Sequence, residues 1–312
     1  MKLFRRASAL VAALSLSFAL AMPALAVGAT SGLPDGACGP GDSGHGAAAN
    51  GAVTRGGRAG EKLVGQEAKA LPAAAKGRAP AGFSATVPVF WHVITDGATG
   101  ALTNNQISAQ ISVLNGGFNG NAGGSNGVAT GFAFQLAGVT RTNNATWYAS
   151  RSAGAEHAMK QALKQGGDNA LNVYSTSGGA YLGWAYLPEI TDTAQAYLDG
   201  IVIDWRTMPG VSTAYVGVAD EGDTLVHEAG HWLNLEHTFF GQCNKNGDFV
   251  ADTPPQKSPS SGCPIGKDTC PAPGLDPIHN YMDYSDDDCI NQFTSGQTQR
   301  MRDSWLLYRA PA

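Results

Sequence analysis

From Ala81 onward, short apolar runs alternate with longer segments whose apolar residues recur every three or four positions. The short runs predict strands and the periodic segments predict helices. The predicted strands are Thr86–Ile94, Phe132–Thr140, Asn172–Thr176, Gly183–Pro188 and Gly200–Trp205. The predicted helices are Asn105–Phe118, Ala155–Gln165 and Thr294–Tyr308, the last with Thr294 as its N-cap. Interleaved strands and helices predict an α/β (α+β) fold, a twisted mixed sheet with backing helices.

The pattern differs in the first 80 residues. Residues 1–26 begin with basic residues, continue with an apolar run and end in Ala24-Leu25-Ala26, which is typical of a cleaved secretory signal peptide. The apolar run is too short for a membrane anchor, and no other stretch approaches transmembrane length. Residues 27–80 are rich in Gly, Ala and Arg, so we expect a largely disordered pro-segment or linker. We therefore expect a secreted, extracellular protein without a membrane partner.

The chain has 312 residues, of which 43% are hydrophobic, enough for one sizeable core, which we place in residues 81–312. We divide this region into an upper half, residues 81–234, and a lower half, residues 235–312. A formal net charge of −5 and the lack of a basic run with interleaved aromatics argue against a nucleic-acid partner. We expect a monomer.

The segment Thr224–Gly241 reads TLVHEAGHWLNLEHTFFG and concentrates the candidate chemistry. On a helix, His227 and His231 lie on one face, about 40° apart in angle and one turn apart in height. Glu228 lies about 100° from His227, too far to bind the same ion but close enough to hold a water at it. This spacing predicts a metal site with a carboxylate beside it.

His237 follows His231 by six positions, so a continuous helix would carry it to roughly the opposite side. The helix must therefore end between them, and Asn234 is the expected position because Asn tolerates the left-handed conformation that ends helices. Three imidazoles and one open position are the ligand set of a catalytic zinc ion rather than of a structural one.

A lone His-x-x-x-His pair on a helix is usually an accident of the surface. Here the neighbouring Leu225, Val226 and Trp232 predict a half-buried helix, in which unpaired imidazoles cost free energy. The burial therefore favours a metal ion.

Two segments, HEAGHWLNLEHTF and NYMDYSDDDCINQFT, resemble the metzincin metalloproteases, and within them the pappalysin family of ulilysin- and cytophagalysin-like secreted enzymes. The chain departs from the family pattern at Asn234, where Gly is usual, and we expect a modest stability cost and no loss of activity. The resemblance implies a metzincin-like fold with an active-site helix and an irregular, disulfide-bonded C-terminal subdomain. It also implies that Met282 packs beneath the zinc site in a Met-turn and that the phenol of Tyr284 reaches the site.

The expected function is that of a secreted zinc-dependent endopeptidase made as a zymogen. Zinc would bind a water and lower its pKa, and Glu228 would take the proton as general base during attack on a peptide carbonyl. Tyr284 would donate a hydrogen bond to the developing oxyanion. A protein or peptide substrate would lie antiparallel to an exposed edge strand within Gly178–Tyr186.

Two other functions remain open from the sequence. One is a secreted non-catalytic zinc-binding adhesion or inhibitor module that kept the fold. An intact Glu228 and an open fourth position count against it. The other is a zinc hydrolase that acts on non-peptide amides, and only the family resemblance favours peptides.

Four cysteines fall in or just after a Gly- and Pro-rich region, where little core is expected: Cys243, Cys263, Cys270 and Cys289. Their spacing leaves three disulfide pairings open, and a structural zinc is the alternative. Export favours disulfides. The family resemblance implies the pairs Cys243–Cys270 and Cys263–Cys289.

The fifth cysteine, Cys38, lies in the predicted pro-segment. Its thiolate is a candidate latency switch that would occupy the open zinc position until the segment is removed; the alternative is an idle thiol in a disordered tail. Candidate processing points are Arg55, Arg58 and Arg78.

Acidic residues suggest two further sites. Asp287, in the run of residues 286–288, is a specificity candidate that would favour Lys or Arg just after the scissile bond; a solvated acidic turn or a calcium site is the alternative. Asp248, Asp252 and Thr253 are calcium candidates, with ordinary turn residues as the alternative.

Overall fold

The computed structural model describes residues 62–63, 70–73, 75–76, 79–122, 126–150, 152–244 and 247–311. The predicted signal peptide, Cys38 and the three candidate processing arginines lie outside these residues. The strands are β1 Lys62–Leu63, β2 Ala85–Thr95, β3 Phe132–Asn143, β4 Leu171–Thr176, β5 Gly183–Ala185 and β6 Ile201–Asp204. The α-helices are α1 Asn104–Phe118, α2 Ala145–Ala149, α3 Ala153–Leu163, α4 Asp223–Trp232 and α5 Ser295–Tyr308.

The described strands form one mixed sheet in the order β1-β5-β6-β4-β2-β3. All neighbouring pairs are parallel except β5 and β6, which run antiparallel. The predicted mixed sheet is thus confirmed. Strand β5 is shorter than predicted, because Pro188 opens the 3-10 helix Pro188–Asp192, and a proline cannot donate to a strand ladder.

Helix α4 lies in the centre of the core. All ten of its residues are buried, and Leu225, Val226 and Trp232 belong to the main hydrophobic cluster. Helix α1 packs against α4 so closely that a Cβ on Gly117 would lie 2.7 Å from a methyl carbon of Val226. The half-buried helix expected from the sequence is in fact completely buried, which strengthens the need to pair its polar side chains.

Between Leu233 and Thr294 the described residues form turns and loops without an α-helix or a strand of the sheet. Two disulfides, Cys243–Cys270 and Cys263–Cys289, hold this region together. They are the two pairs that the family resemblance implies, and they leave no thiolates for a structural zinc. Helix α5 closes the region with a capping box between Thr294 and Gln297. No described helix has the length and apolar character needed to cross a bilayer.

Part of the predicted pro-segment contacts the folded domain. Strand β1 pairs in parallel with β5, Lys62 opposite Trp184 and Leu63 opposite Ala185. Further along, the Leu71 side chain is buried, and the backbone N–H of Ala79 donates to Asp303 on α5 over 2.9 Å. The backbone of this segment therefore adds a strand to one edge of the sheet.

Candidate active site

Helix α4 and the turn that follows it bring three imidazoles together. The Nε2 atom of His231 lies 3.0 Å from Nε2 of His227 and 3.1 Å from Nε2 of His237. Two nitrogen ligands of a tetrahedral zinc ion at about 2.1 Å lie about 3.4 Å apart, so the three nitrogens are close to a zinc-binding arrangement. Among the described residues, these three histidines form a group of possible metal ligands in which every member is buried.

Backbone carbonyls orient two of these rings. Nδ1 of His231 donates to the carbonyl of Leu235 over 2.7 Å, and Nδ1 of His227 donates to the carbonyl of Tyr281 over 2.5 Å. An imidazole that donates from Nδ1 leaves the lone pair of Nε2 for a metal ion. The hydrogen bonds therefore select the tautomer that metal binding needs.

The electrostatics of the site also favour neutral imidazoles. Burial, and then the charge of the neighbouring histidines, hold the pKa of His231 and His237 well below the ordinary value. A metal ligand must be deprotonated, so these rings meet that requirement at neutral pH. The nitrogen-only donor set fits zinc.

The helix ends where the sequence predicts. Asn234 has φ of 81°, in the left-handed region, and the next turn returns the chain to the site at His237. The N–H of Leu235 donates to the carbonyl of Gly230, and that of Asn234 donates to the carbonyl of His231. This is the Schellman arrangement of a helix C-terminus, with Asn in the position usually taken by Gly.

Glu228 is fully buried and lies against Gly183, the first residue of β5. A Cβ on Gly183 would lie 3.0 Å from Cγ of Glu228 and 3.1 Å from its Oε1. The Glu228 side chain therefore packs against the first residue of β5, where a side chain larger than that of glycine would make it shift.

The predicted Met-turn lies beneath α4. Met282 is fully buried, and its Sδ is 2.5 Å from where a Cβ on Gly230 would be. The ring of Tyr284 lies 4.8 Å from the His237 ring and 5.8 Å from the His227 ring, centroid to centroid. The structure thus brings Met282 and Tyr284 to the site.

The comparisons with known proteins agree with this geometry. Residues 210–305 match the metallopeptidase family model described as pregnancy-associated plasma protein-A. An extracellular metalloprotease of Pyricularia oryzae is 45% identical over 245 residues, which are 76% of this chain and 81% of the relative. Another, from Arthroderma benhamiae, is 43% identical over 72% of this chain and 74% of the relative.

The chain belongs to the pappalysin family of metalloproteases. Among solved structures it resembles Tannerella forsythia promirolysin, with a TM-score of 0.64, 28% identity and coverage of 74% of this chain and 83% of the other. It also resembles mature mirolysin of the same organism in complex with a cleaved peptide, with a TM-score of 0.60, 30% identity and coverage of 70% and 91%. The chain is accordingly a metalloendopeptidase, which sets aside the non-catalytic binding module.

Two residues near this pappalysin site were missed from the sequence. Phe239 stacks on the His237 ring at 4.8 Å with an interplanar angle of 8°, and its centroid lies 4.9 Å from that of Tyr284. Gln256 is fully buried; it accepts from Thr238 Oγ1 over 2.7 Å and donates to a carboxylate oxygen of Asp283 over 2.9 Å. The only sequence signal for Phe239 is its place two residues after the third histidine, and Gln256 has none.

The specificity candidate Asp287 is buried, and one of its carboxylate oxygens accepts from the backbone N–H of Glu221 over 2.9 Å. Partial burial, and then the negative charges of Asp287, Asp220 and Asp288, raise the pKa of Glu221. Asp287 thus forms part of an acidic cluster on two loops, rather than a carboxylate alone in solvent.

The three calcium candidates do not converge. Asp248 and Thr253 share a 2.7 Å hydrogen bond, and burial raises the pKa of Asp248 to about 7. Asp252 instead caps α5, where it accepts from Thr294 Oγ1 over 2.7 Å and from the N–H of Gly296 over 2.8 Å. Asp248 and Thr253 therefore lie together, whereas Asp252 is engaged at the N-terminus of α5.

Proposed function

We propose that this pappalysin is a secreted, zinc-dependent endopeptidase in which His227, His231 and His237 hold the metal ion and Glu228 is the general base. The observation that carries the proposal is the convergence of three buried imidazole Nε2 atoms, with Glu228 next to His227 in the sequence and packed against Gly183 of β5. When bound, zinc supplies a Lewis acid that polarises the scissile carbonyl and acidifies water.

The side chains then have distinct tasks. Glu228 takes the proton of the attacking water and delivers it to the leaving amine. Tyr284 donates a hydrogen bond to the developing oxyanion. Its backbone N–H is held by Asp283 over 2.8 Å, and Gln256 ties Asp283 to Thr238, next to the third histidine. These hydrogen bonds connect the backbone of Tyr284 to Thr238, and so fix the position of Tyr284 relative to the neighbouring His237.

Substrate lies along β5. This strand is next to Glu228, and the solved relative named as mature mirolysin in complex with a cleaved peptide supports a peptide substrate. An extended peptide that runs antiparallel to β5 gains main-chain hydrogen bonds whatever its sequence. Residues 183–185 therefore provide the alignment of the scissile bond.

The chain is made as a zymogen. The backbone of β1 occupies the edge of β5 that a substrate needs, and it runs parallel rather than antiparallel to that strand. A segment in this direction competes with substrate for the same hydrogen bonds. Cys38 is the candidate thiolate ligand of the latent form, and removal of residues 1–80 is expected to raise peptidase activity.

Two finer assignments extend the proposal. Asp287, with the acidic cluster around it, favours Lys or Arg just after the scissile bond through charge complementarity. Asp248 and Thr253 supply oxygen ligands to a structural calcium ion, which would lower the raised pKa of Asp248. A peptide library tests the first assignment, and unfolding with and without calcium tests the second.

The deciding experiment is a peptide-library digest by residues 81–312, with and without a chelator, alongside the Glu228→Gln variant. We expect cleavage that the chelator abolishes, and a variant that retains one zinc per chain but loses about 10²–10⁴-fold in rate. Unchanged turnover of the variant contradicts the role of Glu228. A folded, zinc-loaded wild type that cleaves no peptide contradicts the proposed function.

A further inference from the structure

The turn between the second and third histidines contains an unexpected side chain. Asn234 is fully buried and has φ of 81°, a conformation that glycine adopts without strain and that most other residues avoid. If this position served only to turn the chain, glycine would serve better. The asparagine side chain therefore needs a reason of its own.

The contacts of the side chain provide that reason. Asn234 Nδ2 donates to Glu189 Oε1 over 2.8 Å, and Asn234 Oδ1 accepts from Nη2 of Arg300. Nε of Arg300 donates in addition to the backbone carbonyl of Asn234 over 2.7 Å. Both functional atoms of the amide are thus paired, and the residue is held from two sides.

The two partners belong to distant parts of the fold. Glu189 lies in the 3-10 helix Pro188–Asp192, which begins three residues after the end of β5. Arg300 lies on α5, the closing helix. The Asn234 side chain therefore connects the turn between His231 and His237 to two other parts of the domain. One is the 3-10 helix after β5, and the other is α5.

Asn234 is connected to the proposed metal ligands through the next residue, Leu235. The Leu235 carbonyl, adjacent to Asn234, accepts the hydrogen bond from Nδ1 of His231. Two residues later the same turn delivers His237. A change in the conformation of residue 234 therefore moves both the carbonyl that orients the second ligand and the backbone that carries the third.

We propose that Asn234 is a positioning residue of the metal centre: its amide, held by Glu189 and Arg300, fixes the turn that orients His231 and places His237. This inference rests on the metal centre proposed above. It also revises the expectation that asparagine in place of glycine brings only a modest cost, because the side chain adds contacts that glycine lacks.

The test is Asn234→Gly in the full chain, with Glu228→Gln as background to prevent self-cleavage. Zinc affinity is measured by competition with a chromogenic chelator. Loss of a residue that orients metal ligands weakens affinity by about 10–100-fold, and we expect a loss in this range. If the position only turns the chain, glycine leaves the affinity equal or improves it, and that result overturns the proposal.

The matched control is Gln242→Gly. Gln242 also has a positive φ, of 54°, but its side chain is exposed. This variant makes the same backbone change in the same loop region, and we expect unchanged zinc affinity. A loss equal to that of Asn234→Gly would assign the effect to the glycine backbone and overturn the proposal.

A double-mutant cycle separates positioning from general destabilisation. Glu189→Ala removes the acceptor of Asn234 Nδ2, whereas Glu189→Gln retains an oxygen there, so only the first should weaken zinc binding. The combined Asn234→Gly and Glu189→Ala changes should lose less than the product of the single effects. Simple multiplication of the two losses refutes the coupling. A background protein that binds no zinc refutes the proposed metal centre instead.

Discussion

The packing of the Met-turn against α4 can be tested by Gly230→Ala, which adds one methyl group to α4. A Cβ on Gly230 would lie 2.5 Å from Sδ of Met282, 3.4 Å from its Cε and 3.5 Å from a ring carbon of Phe293. Real Cβ atoms essentially never approach another heavy atom within 3.0 Å, so Gly230→Ala forces Met282 to move. Because Met282 is fully buried, it has no solvent to move into.

Two opposing terms set the size of the effect. In a helix interior, alanine is favoured over glycine by about 0.5–1 kcal/mol. Overpacking a buried site costs about 1–3 kcal/mol. The difference is a net cost of about 0–2.5 kcal/mol, so we expect Gly230→Ala to lower the free energy of unfolding by about 1 kcal/mol. We also expect it to weaken zinc binding, because residue 230 lies next to His231.

The assay is urea unfolding of zinc-saturated protein in the Glu228→Gln background, followed by circular dichroism. Gly116→Ala is the control, since Gly116 is also helical and nothing lies within 4 Å of its Cβ position. That variant should gain about 0.5–1 kcal/mol. If Gly230→Ala gains as much as the control, Met282 does not pack beneath α4, and the reasoning is refuted.

Three further outcomes follow from the structure. Gly183→Ala places a methyl group 3.0 Å from Cγ of Glu228, so kcat should fall while zinc content stays constant; unchanged kcat would show that the carboxylate does not need this space. Burial lowers the pKa of His92 from 6.5, so the unfolded chain binds a proton below that pH that the folded chain does not. Stability should therefore fall as pH decreases below about 6.5, by up to about 1.4 kcal/mol per pH unit, and His92→Gln should flatten this slope in urea titrations. Replacing Cys243 and Cys270 together by serine opens a loop with a sequence separation of 27, which should cost about 3.5 kcal/mol in the chain-entropy model; an unshifted melting curve would contradict it.

The fold was largely predictable because its elements have strong local patterns. The apolar runs that predict strands correspond to β2, β3, β4, β5 and β6, and the periodic segments correspond to α1, α3 and α5. Helix α2 was missed because five residues are too few to show a period. The pairing of β1 with β5 was not predictable either, since two residues joined to the sheet by backbone hydrogen bonds leave no hydrophobic pattern.

In the candidate site, too, the residues with a local sequence pattern were predictable, and those positioned by distant contacts were not. The three histidines and Glu228 lie within eleven residues, so helix geometry places His227, Glu228 and His231, and the helix end at Asn234 accounts for His237. Phe239 was missed although it lies close in sequence, because nothing in the sequence distinguishes a ring stacked on His237 from any other aromatic residue in a loop. Gln256 was missed because its partners are 18 and 27 residues away.

The distant contacts also connect the proposed metal site to the folding of residues 235–312. The carbonyl that orients His227 belongs to Tyr281, 54 residues along the chain, and the arginine that holds Asn234 is 66 residues away on α5. Helix α4 alone can present two imidazoles, but it cannot fix their tautomers or return the third. A metal ion bound to the three histidines would bind the folded chain far better than the unfolded chain, so we expect its binding free energy to stabilise residues 235–312. We therefore expect changes in the disulfides, the Met-turn or α5 to weaken metal binding, although none of them is proposed to supply a ligand.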